Sequence, residues 1–368
     1  MTYSRPALII SEAIAQKNIK QMADKAQANG VELMPHFKTH QSKIIGRWFK
    51  DLGIDSITVS SVSMARYFAE DNWQNITIAF PLNIKEIKQI ANLAAHINLT
   101  LLITDLEQIK VLLSEVMVSV NILLEIDCGS NRSGLPPDDN DTITKMIDLL
   151  ERSQHCFKGF YSHFGHTYNA ASVNEVEDVY NNALNIITDL KHRYGYAQAQ
   201  ISIGDTPSCT VMRGFAKVKS IHPGNFVFYD LMQAQIGVCK EEDIAVVLAC
   251  PVVSKNKQRC EVVIYGGGVH LSKESLFDKT LQANIYGKIV WLTKDGWSAS
   301  LPGCYLRSVS QEHGVVVVSP SVYNQISIGD VIGILPVHSC MTADAMGSYV
   351  DLKCGVIDHF KGNILATN

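Results

Sequence analysis

A chain of 368 residues exceeds one ordinary domain, and 46% hydrophobic with 18% charged residues describes a soluble protein that can bury a large core. A formal charge of −4, without a Lys/Arg run or basic stripe, argues against nucleic acid as a partner. Residues 1–11 lack a cationic stretch before a long apolar one, and the longest apolar runs, such as residues 244–253, are too short for a membrane span; with nine scattered cysteines and no C-x-x-C pair, the expectation is a cytoplasmic protein.

Ala7-Leu8-Ile9-Ile10 reads as a strand within an N-terminal segment, residues 1–13, that joins a later β domain. Over residues 14–235, short apolar runs alternate with helical stretches. Ile57-Thr58-Val59-Ser60, Ile76-Thr77-Ile78-Ala79 and Leu101-Leu102-Ile103-Thr104 read as strands. Asn121-Ile122-Leu123-Leu124-Glu125-Ile126, Gly159-Phe160-Tyr161-Ser162-His163 and Gln200-Ile201-Ser202-Ile203-Gly204 continue the series, with helices over residues 84–96 and 173–193. Repeated strand–helix units with strands apolar on both faces imply a parallel α/β sheet or barrel. From residue 236 to 368 the rhythm changes. Residues 246–253, 259–265, 288–292, 315–319 and 331–335 are strand-like, which describes a compact β domain of about 130 residues. No linker, low-complexity tract or internal repeat interrupts the chain.

The segment Met34-Pro35-His36-Phe37-Lys38-Thr39-His40 places one lysine where a first barrel strand would end. A desolvated lysine there is a Schiff-base nucleophile; a solvated loop lysine is the plainer alternative. In a (β/α)8 barrel, functional residues gather at the C-terminal ends of strands. Arg132 follows Asp127-Cys128-Gly129-Ser130-Asn131, His163 ends its strand, and Tyr168 lies just beyond it. Taken singly, Arg132 reads equally as a partner of a surface acid and His163 as a core histidine. Ser202-Ile203-Gly204-Asp205-Thr206-Pro207-Ser208 has the form of a phosphate-holding turn, with backbone N–H groups and hydroxyls as donors; an ordinary turn before a helix has the same form. Asp205 beside a phosphate would be unfavourable unless its carboxylate points away. His222-Pro223-Gly224-Asn225-Phe226-Val227-Phe228-Tyr229-Asp230 is a second such turn near the last barrel strands.

His338 and Cys340, two apart on an expected strand, would share one face. Imidazole and thiolate favour zinc or another borderline metal over magnesium, and two protein ligands leave positions for substrate and water. Gly266-Gly267-Gly268 reads as a tight turn or bulge with no following helix. Gln311-Glu312-His313 reads as a surface turn or as an acid–base group, and Cys250 and Cys260 as small core residues.

These motifs together resemble the D-serine dehydratase and D-threonine aldolase family, alanine racemase-like fold type III pyridoxal-phosphate enzymes. The likeness rests on Pro35-His36-x-Lys38-Thr39-His40, Glu125-Ile126-Asp127-x-Gly129 with Arg132, and Tyr161-x-His163-x-Gly165-x-Thr167-Tyr168. Ser202-x-Gly204-x-Thr206-Pro207-Ser208, His222-Pro223-Gly224-Asn225-x-Val227-Phe228-Tyr229-Asp230 and the H-x-C pair complete it, in order over almost the whole chain. The resemblance implies a TIM-type PLP-binding barrel over residues 14–235 and a C-terminal β domain with the metal site over residues 236–368. It implies Lys38 as the cofactor's lysine, Arg132 near its phenolic oxygen, and His163 and Tyr168 around its ring as catalytic groups. Gly204, Thr206, Gly224 and Asn225 would hold the phosphate, and His338 and Cys340 a divalent metal, zinc. Gln41 departs from the pattern, which usually has a basic residue there, and Asp205 stands where a small hydroxyl residue is common. The aldolase branch more often has an acid at the cysteine position, so Cys340 points to a dehydratase. The expected activity is a PLP- and metal-dependent lyase of a D-β-hydroxy amino acid, as a homodimer, releasing a 2-oxo acid and ammonia. An aldolase yielding glycine and an aldehyde, an amino-acid racemase and a non-catalytic PLP-binding protein are the alternatives.

Overall fold

The computed structural model describes residues 3–194 and 198–362. Residues 1–2 and 363–368, which belong to the expected terminal segments, lie outside the described residues. The chain forms two compact units, each discontinuous in sequence. One holds residues 20–38 and 46–224, the other residues 3–19, 39–45 and 225–362.

In chain order the elements begin with β1 (Ala7–Ile10), α1 (Glu12–Ala28), β2 (Glu32–Leu33), α2 (Lys43–Lys50), β3 (Ser56–Val59) and α3 (Val62–Ala69). There follow β4 (Asn75–Pro81), α4 (Ile87–Ala94), β5 (Asn98–Ile103), α5 (Leu106–Glu115), β6 (Asn121–Glu125) and α6 (Asn140–Glu151). Then come β7 (Cys156–His163), α7 (Val173–Arg193), β8 (Gln200–Gly204), α8 (Thr206–Val211), β9 (Ser220–Ile221) and α9 (Leu231–Ile236).

Strands β2 to β9 form one parallel sheet in the order β2-β9-β8-β7-β6-β5-β4-β3. Its end strands are joined by a single bridge between His36 and Thr58. Phe37 N–H donates to Thr58 O and Thr58 N–H to Pro35 O. The expected TIM-type barrel is thus a nearly closed eight-stranded parallel barrel. Burial on both faces explains its apolar strands: Ile122, Leu123 and Leu124 of β6 are all buried. Helices start where a side chain caps them, Ser61 at α3, Asp105 at α5 and Ser172 at α7. A register shift between β6 and β7 falls near Gly159, whose φ of +139° and contact with the Gln200 backbone exclude a side chain. Residues 84–96 divide into a one-turn 3-10 helix, Ile84–Glu86, and α4.

The other unit is built on a nine-stranded, mainly antiparallel sheet. Its order is Glu261–Tyr265, His313–Val317, Tyr305–Val309, Gly287–Val290, Val331–Pro336, Val246–Asn256, β1, Tyr349–Asp351 and Val356–Ile357. Strand β1 runs antiparallel to Val246–Asn256, with Ile10 opposite Val246. The core contains Val246 to Cys250, all fully buried, with Ile332 and Ile334. Two local expectations are corrected here. A four-residue helix, Gly268–Leu271, does begin on the last glycine of the run, and a Cβ at Gly267 would collide with Gln311 O at 2.5 Å and Ser310 O at 2.6 Å. Cys260 is only half-buried, since it occupies a turn at φ +48°. Among the described residues no helix is long and apolar enough to cross a membrane.

Candidate active site and metal pair

In the barrel unit, Lys38 lies beyond the His36–Thr58 bridge rather than at the end of β2, which stops at Leu33. Lys38 is exposed, so the desolvation expected from sequence is not what distinguishes it. Its setting does. Lys38 N–H donates to His36 Nδ1 at 3.3 Å. Burial first, then the charges of Lys38 and Arg132 among others, push His36 well below the usual histidine range. His163 is likewise pushed down to about 3 by burial and by Arg132, although its contact with Gly204 O opposes this. Its Nδ1–H donates to Gly204 O, which fixes the ring. A Cβ at Gly165 would sit 2.6 Å from His163 Nε2, which is why glycine stands there. The Tyr168 ring lies 6.5 Å from that of His163.

The two glycine-containing turns meet in this unit. Thr206 N–H donates to the Tyr168 hydroxyl at 3.2 Å, and Gly224 N–H donates to Thr206 Oγ1 at 3.3 Å. A Cβ at Gly204 would collide with the Tyr161 hydroxyl, so this buried position packs too tightly against Tyr161 for a side chain. Asp205 resolves its own difficulty. Its carboxylate is turned into the N-cap of α8, accepting from Thr167 Oγ1 at 2.9 Å, Ser208 N–H at 2.7 Å and Ser208 Oγ. Burial outweighs those donors and raises Asp205 to about 6. Glu125 is also buried, with Ser133 Oγ donating to Oε1 at 2.8 Å and no partner at Oε2. Burial raises its pKa, while Ser133 and Arg132 oppose the rise. The sequence motif contains Glu125 without indicating that it is buried.

In the other unit, the H-x-C pair does not lie on a strand. The strand stops at Pro336, His338 N-caps the helix Ser339–Met346, and Cys340 sits in that helix's first turn. Thr342 N–H donates to His338 O at 3.2 Å, so the chain has already turned into the helix and alternation no longer applies. The two side chains nevertheless interact. Burial alone would lower His338, yet Cys340, Glu274 and Asp230 together raise it to about 11. Thr39 Oγ1 lies 3.3 Å from Cys340 Sγ, and Asn225 Nδ2 donates to the same sulfur at 3.5 Å. Asn225 Nδ2 also donates to Asp230 Oδ2 at 2.7 Å and Ser339 Oγ at 3.1 Å. Its Nδ2 is therefore committed beside Cys340, while Oδ1 is buried without a partner. Glu312, of the Gln311-Glu312-His313 segment, pairs with His270 at 3.7 Å. Gln41 donates to Asp344 Oδ1 at 3.0 Å.

The barrel donors fit a phosphorylated pyridoxal. Two backbone N–H groups converge with two hydroxyls, and a neutral histidine stands beside a tyrosine. The H-x-C pair fits a borderline metal by donor chemistry: imidazole and thiol are in contact, and the thiol has two further hydrogen-bond partners. Among the described residues no group of three or more His, Cys, Asp or Glu is arranged to hold a metal.

The family model for the alanine racemase N-terminal domain matches residues 10–231, and that for a serine dehydratase domain matches residues 245–351. The chain belongs to the alanine racemase-like D-serine dehydratase and D-threonine aldolase family. Among family members, D-serine dehydratase of Dictyostelium discoideum is 27% identical over 390 residues, covering 97% of this chain and 96% of that protein. D-threonine aldolase of Arthrobacter sp. is 23% identical over 367 residues, covering 96% and 90%. The solved structure of D-threo-3-hydroxyaspartate dehydratase from Delftia sp. HT23 superposes with a TM-score of 0.87 at 22% identity, covering 97% of this chain and 98% of that one. A cysteine-to-alanine variant of a D-threo-3-hydroxyaspartate dehydratase has been solved in a metal-free form.

Proposed function

We propose that this family member is a PLP- and metal-dependent dehydratase of a D-β-hydroxy amino acid, D-serine first, releasing a 2-oxo acid and ammonia. The observation that carries this reading is the contact of imidazole and thiol at His338 and Cys340. Thr39 and Asn225 support it, because both meet the thiol and each follows a proposed cofactor residue in the chain, Lys38 and Gly224. The full-length relatives act on D-serine, D-threo-3-hydroxyaspartate and D-threonine, so the lyase class and the D-configuration come from kinship.

When bound, the cofactor withdraws electrons from the substrate's α-carbon and the metal stabilises negative charge on the β-oxygen. Lys38 Nζ would hold the cofactor and move the α-proton. The N–H groups of Thr206 and Gly224, with the Thr206 and Tyr168 hydroxyls, would hold the phosphate. His163, its Nδ1 proton committed to Gly204 O, offers a neutral ring that adds no positive charge beside the cofactor. His338 and Cys340 would hold zinc. Products from D-threonine test the reading. Release of 2-oxobutyrate and ammonia is expected; glycine with acetaldehyde would make the protein an aldolase. Racemised threonine, or no turnover with the cofactor bound, would point to the two remaining alternatives.

A further inference from the structure

We infer that Glu274 orients His338 as a metal ligand, making it a positioning carboxylate for the His338–Cys340 pair; this rests on the metal reading of that pair. Glu274 lies 64 residues before His338, in the loop between the helix Gly268–Leu271 and the strand Leu276–Asp278. Its Oε2 accepts a hydrogen bond from His338 Nδ1. With one proton committed at Nδ1, the proton that a metal displaces is the one on Nε2, which leaves the imidazole lone pair there. A carboxylate on the far nitrogen also stiffens the ring and makes the metal-facing nitrogen a better donor. The Cys340 thiol is the other side-chain hydrogen-bond partner of the same imidazole.

Two features of the loop show that Glu274 is held in place. Ser272 adopts φ +86° and ψ 174°, a backbone region that residues with a side chain rarely occupy and that stores strain. Its Oγ accepts from Glu274 N–H at 3.2 Å, so the strained residue fixes the backbone of the acid. Leu271 O accepts from Thr342 Oγ1 at 3.1 Å, and Thr342 lies on the helix that carries Cys340. The loop bearing the carboxylate is therefore tied to the helix bearing the thiol. A Glu side chain 42% exposed and paired with histidine adds little stability as a surface ion pair, which leaves such an anchored loop without a stability rationale.

The test compares zinc affinity by chelator competition in wild type, E274Q and C340A, each loaded with pyridoxal phosphate. It adds the His338 tautomer, read by long-range ¹H–¹⁵N NMR in the zinc-loaded protein. Zinc binding should weaken about 10- to 100-fold in E274Q, with cofactor loading unchanged and the Nδ1–H tautomer of the wild type no longer enforced. The visible d–d bands of the cobalt-substituted protein should be the same in wild type and E274Q. Affinity within threefold of wild type in E274Q, or an Nε2–H tautomer in wild type, would overturn the inference; the second result needs no variant. A changed d–d envelope would make Glu274 a ligand and refute its positioning role. Zinc affinity unaffected by C340A would remove the metal reading and this inference together, whereas loss in C340A alone would remove only this one.

Discussion

Replacing Asp230 with alanine tests how the metal pair is supported. The carboxylate is 1% exposed and accepts from Gln233 N–H at 3.0 Å, Asn225 Nδ2 at 2.7 Å, and Ser339 N–H and Oγ at 3.1 and 3.3 Å. It therefore caps α9, fixes the amide that reaches Cys340 and anchors the first residue of the following helix. Losing the cap costs about 1 kcal/mol. Leaving Ser339 N–H buried without an acceptor costs roughly 1–3 kcal/mol more. Asn225 keeps Ser339 Oγ and Cys340 as acceptors, and burial already raises Asp230, so relief of its desolvation offsets part of the loss. The net is about 2 kcal/mol. With an unfolding entropy of about 0.8 kcal/mol/K for a chain this long, D230A should lower Tm by about 2.5 °C if the chain unfolds in one transition. Scanning calorimetry gives that shift, and chelator competition should show zinc binding weakened more than cofactor binding. A Tm within 1 °C of wild type, with zinc affinity unchanged, would refute the reasoning.

Three further predictions follow from the same geometry. C340A should retain cofactor absorbance but lose pyruvate formation from D-serine by roughly 10²-fold or more, because the metal's charge stabilisation is gone. G165A places a Cβ 2.6 Å from His163 Nε2 and 3.1 Å from Ser130 Oγ; about 1–3 kcal/mol of overpacking should appear as weaker cofactor affinity in equilibrium titration. Burial holds His40, His163 and His222 down to about 3 and His359 to about 4. Their unfolded forms gain protons below pH about 6.5, so their stability is present above that pH and is lost as pH falls towards 3–4, each by up to about 1.4 kcal/mol per unit. Asp205, raised to about 6, opposes them: its contribution is complete below about 3.8 and is lost as pH rises through 6. Urea midpoints should therefore fall between pH 7 and 5, and a flat profile would contradict the assignment of these buried groups.

Much of the barrel was legible because its signals are local. About six turns of amphipathic patterning mark Val173–Arg193, and Gln200–Gly204 alternates isoleucine with polar residues before a glycine and a capping Asp. β2 was not, since two residues carry no period and a single bridge at His36 does the closing. The contact of the Asn225 amide with Cys340 lay outside the motif, because the two residues are 115 positions apart in the chain. The strand reading of His338 and Cys340 failed because Pro336 ends the strand and His338 O starts a helix, a switch that two residues of alternation cannot reveal. Glu274 had no local signal at all. A partner 64 residues away is found only in the folded chain.

The central claim is that one protein uses both a lysine-bound cofactor and a metal on His338 and Cys340. The most direct measurement follows pyruvate release from D-serine by the holoenzyme before chelation, after chelation, and after zinc is restored, with cofactor absorbance recorded throughout. Activity should vanish on chelation and return with zinc while the absorbance persists, and K38A should lack that absorbance. Undiminished pyruvate release from metal-free protein, or a K38A variant that still shows the wild-type absorbance, would contradict the account.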